Sequence, residues 1–104
     1  MVTSDTVFKA LADPTRREIL GLLRGGAQTV GAIAGNFRVS RPAISKHVRV
    51  LRAAGLIRSE SAGGIRLCAL DARPLQLAAA WLRDYQTFWN ASLRDLKTFV
   101  EEAP

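Results

Sequence analysis

The chain has 104 residues, with 15 Lys and Arg against 9 Asp and Glu, for a formal net charge of +6. That length suits one small domain, and 48% apolar with 23% charged residues gives it a core to bury and excludes a disordered tail. A single cysteine, Cys68, excludes an intramolecular disulfide framework and any site built on several thiolates. The polar first residues lack a secretory pattern. The longest apolar stretch, residues 77–82, is far below the roughly 20 residues that span a bilayer. The expectation is a soluble, cytoplasmic single domain covering residues 1–104.

Ser4 is read as the cap of a short helix reaching Leu11, with Val7, Phe8 and Leu11 at helical spacing. Asp13-Pro14 starts a second helix, because Asp offers a capping oxygen and Pro suits the first turn. It runs to about Arg24, burying Ile19, Leu22 and Leu23, and Gly25-Gly26 ends it. Thr29 caps a third helix over residues 30–37, whose small residues permit close packing. After a short turn at Arg38-Val39, Ser40 caps a fourth over residues 41–54, stopped by Gly55. Ile44, Val48 and Leu51 follow i, i+4, i+7 and face inward, which leaves Arg41, Pro42, Ser45, Lys46 and Arg49 outside. Two helices joined by a short turn, the second one basic, make a helix-turn-helix over residues 29–54.

The period then changes. Residues 56–60 and 65–70 read as two strands around a turn at 61–64, where Gly63 and Gly64 supply the positive φ that a hairpin demands. A basic hairpin directly after such a helix is a wing, spanning residues 56–70. From 71 to 102 the pattern is helical again, with Leu75, Ala78, Leu82, Tyr85, Trp89, Leu96 and Phe99 repeating by threes and fours. At about 1.5 Å per residue such a helix reaches close to 50 Å, too long for the preceding 70 residues to cover. A second copy of the chain is the expected cover, so this is the dimerisation helix, with Phe8 and Leu11 of the first helix alongside. The fold class is mainly α with a small β-hairpin: four helices, the hairpin and a fifth helix, paired as a homodimer through the first and last.

The charge is concentrated in the same middle region. Residues 1–37 carry +1, residues 38–70 carry +6 and residues 71–104 carry −1. Seven bases against Glu60 alone are the electrostatic footprint of a polyanion-binding surface. Arg41, Lys46 and Arg49 fall within about two turns of one helix face, the width a major groove admits. Arg can present a fork to guanine, whereas Lys and Ser reach phosphates or single acceptors. The helix start at Ser40 adds backbone N–H groups toward phosphate. Arg38 precedes it in the turn, and Arg58 and Arg66 flank the hairpin, placed to straddle adjacent backbone or minor groove. Arg52, near the end of the helix, is set apart as a partner for an acid such as Glu18. Ser45-Lys46-His47 is no nucleophilic triad, since consecutive helix residues point apart. No paired carboxylates or phosphate loop suggest an enzyme, and Cys68 reads as a buried small apolar residue.

The segments LADPTRREIL (11–20), SRPAISKHVRVLRAAGLI (40–57) and WLRDYQTFW (81–89) resemble the ArsR-type winged helix-turn-helix repressors, the last segment most of all the SdpR-like branch. The resemblance covers nearly the whole chain. It implies a winged-helix dimer that binds an inverted-repeat operator in double-stranded DNA and represses transcription, often of its own operon. By it, Ser40, Arg41, Ser45, Lys46 and Arg49 become recognition-helix positions and 61–64 the wing tip. Metal-sensing relatives carry a Cys-x-Cys element where this chain reads TVGAIAG (29–35), or histidines on the last helix, where residues 71–104 have none. No metal or other cofactor is therefore expected. The alternative within the family is a small-molecule or redox-responsive sensor that releases DNA through the aromatic part of the last helix or Cys68.

Overall fold

Thr3, rather than Ser4, starts the first helix, α1 (Ser4–Leu11). The Thr6 amide donates to the Thr3 hydroxyl at 3.3 Å, and the Thr3 amide donates to the Thr6 hydroxyl at 2.8 Å. This reciprocal capping satisfies two free donors at once, which a serine inside the first turn cannot do. The computed structural model describes residues 1–102; residues 103 and 104 of the expected 1–104 domain lie outside the described residues. Helix α2 (Pro14–Leu23) begins as expected, with Asp13 Oδ1 accepting from the amides of Thr15 at 2.8 Å and Arg16 at 3.3 Å. Burial opposes ionisation of Asp13, but these two N–H groups and the nearby His47 and Arg16 charges outweigh it and hold the carboxyl below its usual range. Arg16 and Arg17 turn back to α1. Arg16 Nε reaches the Ala10 carbonyl at 2.6 Å, Arg16 Nη2 that of Lys9 at 2.9 Å, and Arg17 Nη1 that of Leu11 at 2.6 Å. Carbonyls left open by the end of α1 are thereby satisfied.

Helix α3 (Val30–Ala34) is capped by Thr29 as expected but stops three residues before Phe37. The Asn36 amide explains the early end, donating to the carbonyls of Ala32 at 3.0 Å and Ile33 at 3.3 Å. Helix α4 (Arg41–Ala53) is capped by Ser40, whose hydroxyl accepts from the Ala43 amide at 3.3 Å. Gly55 follows it at φ +77°, and a Cβ there would stand 3.2 Å from Val2 and 3.3 Å from Pro74. Gly55→Ala should therefore cost about 1–2 kcal/mol from the left-handed backbone alone. An unchanged melting temperature would contradict this account of the turn.

Strands β1 (Ile57–Ala62) and β2 (Ile65–Leu70) pair antiparallel, with Ile57 opposite Leu70 and Ser59 opposite Cys68. The pairing runs two residues beyond Glu60, so the turn is Gly63-Gly64 alone, at φ +58° and +81°. Positive φ at both central positions matches the twist of the flanking strands. The sequence gives no sign of one further pairing: Gln28 and Cys68 exchange both backbone hydrogen bonds, at 3.0 and 2.7 Å, and anchor the hairpin to the loop before α3. The core gathers Ile19, Leu23, Ile33, Ile44, Val48, Leu51, Leu56 and Cys68. Leu20 is buried where Leu22 was expected, and Leu22 is only half-buried.

The long final helix is two helices, α5 (Leu75–Arg83) and α6 (Gln86–Glu102). The Asp84 and Tyr85 amides bond to the carbonyls of Trp81 and Leu82, three residues back, and this tight turn breaks the α-helical ladder. Trp81 lies against Tyr85 at a 44° tilt with ring centres 5.0 Å apart and meets Phe8 of α1 edge-on at 5.6 Å. Helix α6 buries none of its residues within the chain. The radius of gyration is accordingly 18.4 Å, against about 13 Å for a compact domain of this size. Among the described residues no helix is long and apolar enough to cross a membrane.

Candidate nucleic-acid interface

Helix α4 turns Ile44, Val48 and Leu51 into the core, and its 3.6-residue period then forces Arg41, Pro42, Lys46 and Arg49 outward. All four are exposed, and Ser45 is half-buried beside them. Arg38 and Ser40, in the turn ahead of the helix, are exposed as well. The Arg41 guanidinium lies over Gly31 of α3, where a Cβ would meet it at 3.5 Å, so the two helices are joined at their exposed rim. His47 is half-buried on the other side. Its Nδ1 faces Arg16 Nη1 at 3.3 Å.

The wing separates two arginines that the sequence groups together. The antiparallel register sets Arg66 on the face shared by Ile57, Ser59 and Cys68, the face turned toward α4. Arg58 lies on the opposite face with Glu60. Its Nη2 pairs with Glu60 Oε1 at 3.0 Å, and its Nη1 donates to the Leu70 carbonyl at 3.2 Å. Arg58 is thus held within the hairpin, while Gly63 and Gly64 stay exposed at its tip. Arg73 is also engaged, by Asp71 at 2.7 Å, and its side-chain hydrogen bond holds the Asp71 carboxyl at a pKa of about 2.

Arg52, which the sequence suggests as a partner for Glu18, makes no ion pair with it; it lines a cavity of about 250 Å³ between α4 and the hairpin, together with Ser45, Arg49, Ser59 and Arg66. Its spacing of three from Arg49 and seven from Ser45 is the signal that could have found it. Cys68 closes the inner side of this cavity and is 3% exposed. Among the described residues, no carboxylate pairs with Arg38, Arg41, Lys46, Arg49, Arg52 or Arg66. Among them, too, no cluster of three His, Cys, Asp or Glu side chains could hold a metal ion.

At the other end of the molecule, Leu82, Tyr85, Trp89, Leu96 and Phe99 are exposed along α5 and α6, with Leu96 at 59% and Phe99 at 73%. Phe8 and Leu11 of α1 differ from them. Both are half-buried already, Phe8 against Trp81 and Leu11 against the core.

A family described as a helix-turn-helix domain matches residues 11–60. The transcriptional repressor SdpR of Bacillus subtilis is 41% identical over 81 residues, covering 78% of this chain and 90% of that protein. The HTH-type transcriptional regulator Rv2034 of Mycobacterium tuberculosis is 42% identical over 97 residues, covering 93% and 88%. The crystal structure of an ArsR family transcriptional regulator superposes with a TM-score of 0.72 at 40% identity, covering 83% of this chain and 89% of that one.

Proposed function

We propose that this chain, which belongs to the ArsR family of winged helix-turn-helix transcriptional regulators, represses its own operon by occupying an inverted-repeat operator as a homodimer. It is a DNA-binding transcriptional repressor; the dimer, the operator symmetry and the residue roles are the parts proposed. One observation carries the reading: α4 and the turn and wing beside it hold Arg38, Arg41, Lys46, Arg49, Arg52 and Arg66 on the outside with no carboxylate among the described residues to neutralise them. Unpaired cations on a helix that can enter a major groove supply both phosphate neutralisation and base contacts. Ser40, Arg41, Pro42, Ser45, Lys46 and Arg49 are the proposed groove-facing residues. Arg38, Gly63, Gly64 and Arg66 are assigned to the flanking backbone. Arg58 keeps a place at the rim, through whatever its pairing with Glu60 leaves free.

The dimer is supported by the apolar side chains along α6 and the end of α5 that stay exposed among the described residues. A second copy presents the same face and buries both, as twofold interfaces do. Two recognition helices then enter successive major grooves about one helical turn apart. Occupancy of such a site in a promoter excludes polymerase, which requires binding and no catalysis, with the repressor acting in the cytoplasm where the DNA lies.

The test is titration of duplexes from the gene's own upstream region against a scrambled duplex at two salt concentrations. Binding that prefers the upstream sequence and weakens steeply with salt is the expected result. Equal binding to both duplexes would remove the autoregulatory operator.

A further inference from the structure

The cavity between α4 and the wing holds more positive charge than its surroundings can balance. Ser45, Arg49 and Arg52 recur at i, i+4 and i+7 and so lie along one face of α4. The hairpin register brings Ser59 and Arg66 to the face that looks at them. The lining therefore contains three guanidinium groups, two hydroxyls and no carboxylate. Arg16, Arg17, Arg58 and Arg73 spend their donors on carbonyls or acids of the chain. No hydrogen bond or ion pair of that kind is made by Arg49, Arg52 or Arg66 among the described residues. Like charges held on one small cavity repel each other until an anion enters. An oxyanion with several lone pairs suits this donor set, since guanidinium forks match phosphate geometry and serine hydroxyls complete it.

We infer that this cavity seats one phosphodiester group of the operator backbone, gripped by Arg49 and Arg52 from the recognition helix and by Arg66 from the wing. The inference rests on the repressor reading and specifies one contact within it. It makes Arg52 a DNA-contacting residue. It also gives the phosphate a mechanical role, because a single bound group bridges α4 and β2 and fixes the wing against the recognition helix. Arg58, on the far face of the hairpin, stands outside this bridge.

The experiment compares the wild-type protein with Arg52→Ala and Arg58→Ala on an operator duplex and on a series in which one phosphate at a time is replaced by a neutral methylphosphonate. Arg52 is exposed, so thermal melting should show both variants folded. For the wild type, one methylphosphonate position in each half-site should weaken binding by about tenfold. Arg52→Ala should weaken binding to the unmodified duplex by a similar factor and reduce the salt slope by about one for each phosphate left without its guanidinium. Its response to that methylphosphonate should shrink, since only Arg49 and Arg66 still reach the group, while its response to the others stays as in the wild type. Arg58→Ala should keep the wild-type response to that methylphosphonate, whatever affinity its own rim contact contributes, because it stands on the opposite face of the hairpin. An Arg52→Ala protein with wild-type affinity and slope, or one weakened yet as sensitive as the wild type at every position, would overturn the inference and leave the repressor reading standing. A wild-type protein that binds no duplex would overturn both. Inorganic phosphate added at constant ionic strength separates the two sources of the oxyanion. Competition no stronger than that of chloride is expected for a seat shaped for the polymer. Displacement of DNA at low millimolar phosphate would reassign the cavity to a free anion and overturn the backbone contact.

Discussion

Leu96→Glu is expected to give a monomer with an unaltered fold. Leu96 is 59% exposed within the chain, so a carboxylate there meets water and costs the isolated subunit almost nothing. In the proposed dimer the same position lies in an apolar face shared by two copies, and an unpaired buried charge costs roughly 3–5 kcal/mol. Twofold symmetry introduces the charge twice and opposes the two carboxylates to each other. Operator affinity should follow, because losing the second half-site removes an effective-concentration advantage of about 10²–10⁴-fold. Trp89→Ala should act in the same direction, as truncation of buried tryptophans commonly costs about 2 kcal/mol or more at interfaces. Sedimentation equilibrium together with thermal melting separates association from folding. If Leu96→Glu still sediments as a dimer with wild-type dissociation, the α5–α6 interface is wrong.

The second large effect belongs to the recognition helix. Lys46→Ala and Arg49→Ala should each weaken operator binding by at least tenfold, Lys46 through a contact to a base edge, which contributes about 1–3 kcal/mol, and Arg49 through a phosphate contact, each lost in both half-sites of a symmetric dimer. Neither side chain supports the core, which α4 builds from Ile44, Val48 and Leu51, so both variants should melt with the wild type. The pair should also differ from each other. Arg49 lines the cavity beside Arg52 and Arg66, so its loss should weaken binding to all sequences alike; Lys46 lies outside that cavity, free to reach into the groove. Titration against the operator and the scrambled duplex reads the distinction. Unchanged operator affinity in both variants would remove α4 from the interface.

Much of this protein is decided by short-range chemistry, and that part is legible in the chain. Caps at Asp13, Thr29 and Ser40, the stop at Gly55 and the Gly63-Gly64 turn depend on side chains and backbone within a few residues, and the structure has each of them. The inward face of α4 follows from its period alone, and so do its basic outer face and the concentration of charge between residues 38 and 70. Other features depend on partners far along the chain. Arg58 and Arg66 look equivalent in sequence, but the strand register puts them on opposite faces and Glu60 takes one of them. Arg52 looks like a partner for an acid at the end of a helix. Only the approach of the hairpin, anchored by the Gln28–Cys68 bridge, sets Ser59 and Arg66 across from it. The break at Asp84-Tyr85 carries no Gly or Pro, so local propensity continues the helix where the folded chain tightens it. Periodicity fixes which side a residue faces, because each turn of helix or strand is geometrically determined. What stands on that side depends on how distant elements dock, and packing of the whole chain decides it.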